Sequence, residues 1–345
     1  MQRSYTAIAE PSWQAIITAR RPLLYVGDGD SSLDRPRHVR AGSGLTWVGD
    51  RLAVVQDDTN FIALLPPDEW GASGDGAPAR AHGIALPAGP AGRRQFDDLR
   101  GNKGDKLDLE ACVTIPGANG GTVLAFGSGS RSERERVIRI DDALSSSPRV
   151  TVIDAAPLYA ALRRDTAFAG SDMNIEGVML HGGLLRLFGR GNGAPRDGDV
   201  ARNSTCDVDA AALVDWLQQP GAGALPALRD TTQYHLGVLG GVALGFTDAC
   251  ARDNHVMFVA AAESSPDATR DGAVTGSVLG VTPRGGGAPR FAPITHRTGE
   301  PVVEKVEGIA PHPSDASRAF VVIDSDDPAR PSELCELHLV GAWRA

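Results

Sequence analysis

Lys103-Gly-Asp-Lys-Leu-Asp-Leu-Glu110-Ala-Cys-Val113 carries the pattern on which the reading of the chain turns, because its core returns along the sequence. It comes back as Asn174-Ile-Glu176-Gly-Val-Met179 and as Lys305-Val-Glu307-Gly-Ile-Ala310. Looser copies are Phe246-Thr-Asp248-Ala-Cys250 and Gly42-Ser43-Gly44-Leu45. With Ser43, Glu110, Glu176, Asp248 and Glu307 taken as equivalent, the intervals are 67, 66, 72 and 59 residues. A period of that size marks one supersecondary unit copied several times, and units of four short strands build a propeller. The expected fold is all-β: a single five-bladed β-propeller over residues 1–345, its four-stranded antiparallel blades starting near 43, 110, 176, 248 and 307.

The second repeat is the clearest blade. Cys112-Val-Thr-Ile115, Thr122-Val-Leu-Ala-Phe126, Arg136-Val-Ile-Arg-Ile140 and Arg149-Val-Thr-Val-Ile153 place four apolar or alternating runs in one interval. The fifth repeat lacks a fourth run before the chain ends, so the N-terminal run Pro22-Leu-Leu-Tyr-Val26 is expected to close the last blade. Two short linker helices are predicted. One is Ala156–Arg164, with Pro near its start; the other is Val208–Leu217, after a polar loop from Gly189 to Asn203. The Pro/Gly-rich passage 66–100 reads mostly as loop with one outer strand near Gly83-Ile-Ala-Leu86, and a six-bladed ring is the alternative if it hides more strands. An acidic loop is expected over Glu263–Gly272.

Composition narrows the function. The 41 Gly and 23 Pro suit many tight turns, and the net charge of −9 disfavours nucleic acid or an anionic membrane as a partner. A small-molecule ligand is expected, with no organic cofactor, and a protein partner is left open. Cys112, Cys206, Cys250 and Cys335 lack metal-ligand spacing and read as reduced, buried thiols. The first residues lack the apolar core of a signal peptide, which predicts a cytoplasmic protein. No GxSxG or P-loop pattern is present, the dispersed histidines read as structural, and Asp28-Gly-Asp30-Ser-Ser32-Leu-Asp34 departs from an EF-hand at its sixth and twelfth positions.

In a propeller the start of each innermost strand and the end of the next lie on one face. That gathers Ser43, Glu110, Glu176, Asp248 and Glu307 with Gln56, Asp57, Asp58, Ser128, Arg131, Arg190, Asn192, Glu263, Asp324 and Asp326. Converging carboxylates need a divalent cation, a lysine or protonation to relieve their repulsion. Hard oxygen donors without Cys or His point to calcium or magnesium, with Glu110, Glu176, Asp248, Glu307, Asp57 and Asp324 as candidate ligands; capping of backbone donors is the structural alternative. The chain has only three lysines, Lys103, Lys106 and Lys305, all shortly before Glu110 or Glu307. Lys106 and Lys305 with Glu110 and Glu176 are therefore the catalytic candidates, and Arg190, Asn192, Arg131, Ser128 and Glu263 the substrate-binding ones.

The runs Asp108-Leu-Glu110, Asn174-Ile-Glu176-Gly177, Gly245-Phe-Thr-Asp248-Ala249, Ala261-Ala-Glu263 and Lys305-Val-Glu307-Gly308 resemble an uncharacterised bacterial propeller family, itself similar to the phytase-like and SdiA-regulated propellers. The phytase-like relation implies calcium-assisted phosphoester hydrolysis, with Glu110, Glu176, Asp248 and Glu307 holding metal and Lys106, Lys305 and Arg190 holding phosphate. Such phytases are six-bladed and secreted, unlike the five markers here. Two functions are therefore expected in parallel: a divalent-cation-dependent hydrolase of a small ester, phosphoester or lactone, in which a cation-activated water attacks, or a non-catalytic binding module.

Overall fold

A computed structural model describes residues 3–71, 74–265 and 272–343, and they form an all-β structure. Twenty of the 23 strands among the described residues fall into five antiparallel groups of four. The first is Gly42–Val48, Arg51–Gln56, Phe61–Leu65 and Ala79–Ala85; the second is Leu109–Ile115, Thr122–Gly127, Arg136–Asp141 and Arg149–Asp154. The third is Ile175–His181, Leu184–Gly189, Asn203–Asp209 and Arg229–His235; the fourth is Val242–Arg252, His255–Ser264, Ala273–Pro283 and Arg290–Thr295. In the fifth, Lys305–Pro311, Arg318–Asp324 and Glu333–Val340 are joined by the N-terminal strand Gln14–Tyr25, antiparallel to Glu333–Val340.

Each group's first strand packs against the first strand of the next group, and that of the fifth packs against that of the first. The apolar cores follow the same order, because each lies between two consecutive groups. Leu52, Val54 and Phe61 of the first group, for example, pack with Phe320 and Val322 of the fifth, while Val55 and Ile62 on the opposite face pack with Cys112 and Ala125 of the second. A sheet covered on both faces needs apolar residues at every position rather than every other one. Phe61-Ile-Ala-Leu-Leu65 is accordingly buried throughout.

Three sequence expectations change. The strand expected over 22–26 is twelve residues long, Gln14–Tyr25, and its end pairs in parallel with Ala79–Ala81. Arg3–Thr6 and Ile8–Ala9 add short parallel pairings to the third and fourth groups. The helix expected from Val208 begins at Ala210, because Asn203–Asp209 is a strand: Asp209 both ends it and caps the helix, accepting from the Ala212 amide at 2.9 Å. The passage 66–100 holds the helical turn Pro67–Trp70 and the strand Ala79–Ala85. The helix Ala156–Arg164 has the expected bounds. The acidic loop expected over 263–272 falls partly on residues 266–271, outside the described residues. Among the described residues no helix is long and apolar enough to cross a membrane.

Candidate functional site

In each group's first strand the pairing with the second strand slips by one residue, near the start at Ser43, Glu110, Glu176 and Glu307 and midway along the longer strand at Thr247. A bulge of this kind bends the strand and re-aims one side chain. The repeat marker in the fourth group is therefore Thr247, one residue before the expected Asp248. Ser43 and Thr247 act alike: their hydroxyls donate to the Leu109 carbonyl at 2.5 Å and the Val306 carbonyl at 2.6 Å, each just before the bulge of the next group. Glu110, Glu176 and Glu307 instead send carboxylates into one cleft.

The residue after the bulge explains the recurring Glu-Gly. A Cβ on Gly308 would lie 2.9 Å from the Leu45 amide nitrogen, and one on Gly177 would lie 3.1 Å from that of Ala249, so neighbouring first strands come too close for a side chain. Asp248 occupies this position in the fourth group. Its carboxylate accepts the amides of Ala249 at 2.7 Å, Ile309 at 2.9 Å and Leu45 at 3.4 Å, tying together first strands of three groups. Burial pushes its pKa well up against the pull of those amides. Asp248 does not line the cleft, so the structure separates it from the other candidate metal ligands.

The cleft encloses about 600 Å³ counting its open mouth, and its walls are almost wholly polar. One half is built of aspartates. The Lys106 ammonium, 5% exposed, lies 2.5 Å from Asp57, 3.1 Å from Asp58 and 2.9 Å from Asp108. Burial works against the Lys106 charge, but Asp108, Asp57 and Asp58 outweigh it and hold its pKa well above the usual lysine value. Asp108 sits in left-handed backbone at φ 57° and also receives Arg134 at 2.7 Å and the Ser128 hydroxyl. Burial raises the Asp108 pKa, yet Lys106 and Arg134 bring it below the ordinary range. For Asp57, burial prevails and the pKa is raised. Arg40, shared with Asp97, stands 3.7 Å from Asp58, so three carboxylates here meet three cations.

The other half is built of glutamates. Arg190 lies 3.2 Å from Glu176 and 2.6 Å from Glu263; Lys305 lies 2.6 Å from Glu307 and 3.8 Å from Glu263. The Asn174 side-chain amide donates to Glu176 at 2.5 Å. Glu110 completes this half, and among the described residues no hydrogen bond or ion pair reaches its carboxylate. Burial, then Asp57 and Glu176, push the Glu110 pKa well up. Burial and Glu176 outweigh Lys305 at Glu307 and raise it to about 8. At Glu263 the order reverses: burial is overcome by Lys305 and Arg190, which hold it at about 2. Four carboxylates thus face two cations, an excess of two negative charges when all are ionised.

The remaining candidates divide. Asn192 and Asp324 line the cleft, but Asp324 is engaged by the Ala41 amide and the Ser332 hydroxyl, both at 2.9 Å. Ser128 supports Asp108 from behind, and Arg131 is exposed and away from the cleft; Arg134, three residues on, is the arginine that enters. Sequence reasoning missed Asp108 and Asn174 as site residues, although both stand inside the repeated motif. The donor set that would suit a small cation by spacing alone is Asp57, Asp108 and Glu110, whose nearest oxygens lie within 4.8 Å of one another.

An all-β chain carrying a charged, acid-rich cleft is what the geometry defines. The chain belongs to a family of unknown function, DUF6929, whose model matches residues 38–339. No curated protein matches it. Among solved structures it is similar to one of an S. cerevisiae Dbp5 variant bound to Nup159, a Gle1 variant, IP6 and ADP, at 8% identity and TM-score 0.38, covering 98% of this chain and 100% of that one. It is also similar to Drosophila Semaphorin 2a, at 12% identity and TM-score 0.29, covering 98% of this chain and 51% of that one. A third is a mutant Synechocystis apocarotenoid oxygenase, at 13% identity and TM-score 0.29, covering 88% and 73%. Likenesses this loose carry no argument about function.

Proposed function

We propose that the chain is a single five-bladed propeller, closed by Gln14–Tyr25 in its last blade, and that the cleft at one end of its channel binds a small ligand through a divalent cation, calcium or magnesium. The carrying observation is a set of acceptors without donors. Among the described residues, Glu307 Oε2, Asp57 Oδ1, Asn174 Oδ1 and Asn192 Oδ1 are buried without a hydrogen-bond partner, and no hydrogen bond or ion pair reaches Glu110. Buried acceptors left unmatched cost free energy that a bound cation or a donor-rich ligand recovers. Hard oxygen donors of this kind suit calcium or magnesium.

Hydrolysis of a small ester, phosphoester or lactone is the second reading, and one observation favours it. Glu263 is held at about 2 and Glu307 at about 8 on either side of Lys305, which divides two carboxyl groups into an ionised and a proton-bearing member. Glu307 then offers a proton at neutral pH, while Lys305 and Arg190 face an anionic substrate group. A distant kinship to phytase-like propellers belongs to this reading. Calorimetric titration with calcium and magnesium tests the binding site; chromogenic esters assayed with and without chelator test turnover. Binding without turnover leaves a binding module, and no binding by either metal refutes the first reading.

A further inference from the structure

The outer strands of the five groups differ in one respect. Residues 3–25 run as a ribbon that closes the outer edges of four of them. Arg3–Thr6 pairs in parallel with residues 232–235 of the third group, Ile8–Ala9 with residues 290–291 of the fourth, and residues 23–25 with residues 79–81 of the first, while Gln14–Tyr25 is itself the outer strand of the fifth. The outer strand of the second group, Arg149–Asp154, is the exception: among the described residues it pairs with Arg136–Asp141 alone.

That edge is fit for pairing. Its six residues follow Arg136–Asp141 in unbroken register, and no proline or bulge interrupts them. The Ala155 amide donates to the Glu135 carbonyl at 3.1 Å, the next step of the same register, so residues 149, 151 and 153 turn their backbone groups inward and Val150, Val152 and Asp154 turn theirs outward. Val152, 37% exposed, shares a face with Val150, which packs toward the core between the first and second groups. On that face lies a groove of about 900 Å³ with its mouth, lined by Leu64, Ile84, Leu144 and Val150 together with Arg51 and His82. None of the residues 149–154 lines the polar cleft.

We infer that Arg149–Asp154 is a docking edge for an extended segment of another polypeptide, which adds to it as a further strand in parallel and sends apolar side chains at alternate positions into the groove. The ribbon supplies the precedent. In three groups it meets the outer strand in parallel, and it turns Tyr5, Leu23 and Tyr25 to the apolar cores. The second and third groups are neighbours, so the incoming segment continues the row that Arg3–Thr6 begins. Two copies of this chain joined about a two-fold axis into one continuous sheet would instead meet edge to edge and antiparallel.

The test is selection of random linear peptides, displayed on phage, against the folded full chain, followed by amide hydrogen exchange of the chain with each selected peptide. The peptides are expected to slow exchange at Val150, Val152 and Asp154. Val152→Pro deletes one outward donor and leaves the inner ladder whole, and should weaken their binding by about ten-fold or more, whereas Val152→Thr keeps the donor and should weaken it by less than about three-fold. Should Val152→Pro fail to fold by circular dichroism, peptides N-methylated at alternate residues test the parent chain: one of the two alternate sets should abolish binding and the other leave it. If no peptide is selected, or if the selected peptides protect the polar cleft and not the edge, the inference fails. It fails equally if the chain sediments as a dimer that Val152→Pro dissociates, since the occupant is then a second copy.

Discussion

The five first strands end in two clefts of opposite character. At their starts the walls are carboxylates, lysines and arginines; at their other ends lies an apolar bowl of about 650 Å³ with its mouth, lined by Trp47, Val113, Met179, Leu180, Cys250 and Ile309 among others. The same strands build both, so the change lies in the bulge and not in the architecture. The extra residue aims Glu110, Glu176 and Glu307 into the polar cleft, and Asp248, one position further on, spends its carboxylate on backbone amides instead. One end is built of stability, and the other holds groups whose charges are unresolved by the protein alone.

The largest effect should come from Lys106→Met, which leaves three carboxylates around an absent ammonium. Breaking a buried pair costs about 3–5 kcal/mol, and the loss in chemical denaturation should shrink as the pH falls and the acids take up protons. Next is Asp248→Ala, expected to cost about 2–3 kcal/mol because the amides of Leu45, Ala249 and Ile309 lose their acceptor. Calcium affinity should change little in that variant, as Asp248 does not face the polar cleft.

Trp47→Ala tests the apolar end. Trp47 packs edge-on against Trp70 and Phe320 and donates to the Pro311 carbonyl at 2.9 Å, so roughly 2 kcal/mol should be lost, less than for a fully buried tryptophan. An equal loss of calcium affinity would mean that the two ends are coupled. Arg131→Ala, on an exposed loop, should alter neither melting temperature nor calcium binding.

The pH dependence sharpens the contrast between the halves. Glu307, raised from 4.5 to about 8, contributes stability that is complete below about 4.5 and lost as the pH rises toward 8. Glu263, lowered to about 2, contributes stability that is complete above 4.5 and lost as the pH falls toward 2. In chelator, melting temperature should therefore decline from about pH 5 to pH 8; Glu307→Gln should flatten that decline, and calcium should reverse it.

The repeat was readable because three of its copies keep a glutamate and two of these follow it with a glycine, for separate physical reasons: the bulge aims the acid, and the close passage of the next strand excludes a side chain at Gly177 and Gly308. The fourth copy was misplaced by one residue. Phe246-Thr-Asp248 offers two polar candidates, and only pairing with the second strand decides that Thr247 is the bulged one. Asn203–Asp209 was hidden for a related reason, since Val208 and Asp209 end a strand and lead directly into a helix with apolar residues at helical spacing. Lys106 and Lys305 could be read from their rarity and position. Arg134 could not, because nothing in Arg131-Ser-Glu-Arg134 says which arginine turns inward until the short helical turn Ser132–Arg134 is formed.

The most direct measurement is a crystal structure of the parent chain soaked in manganese or terbium, with anomalous scattering recorded at the metal's edge. A single anomalous peak inside the carboxylate-lined cleft is the predicted result. A cleft that takes no ion while the protein stays folded would contradict the account.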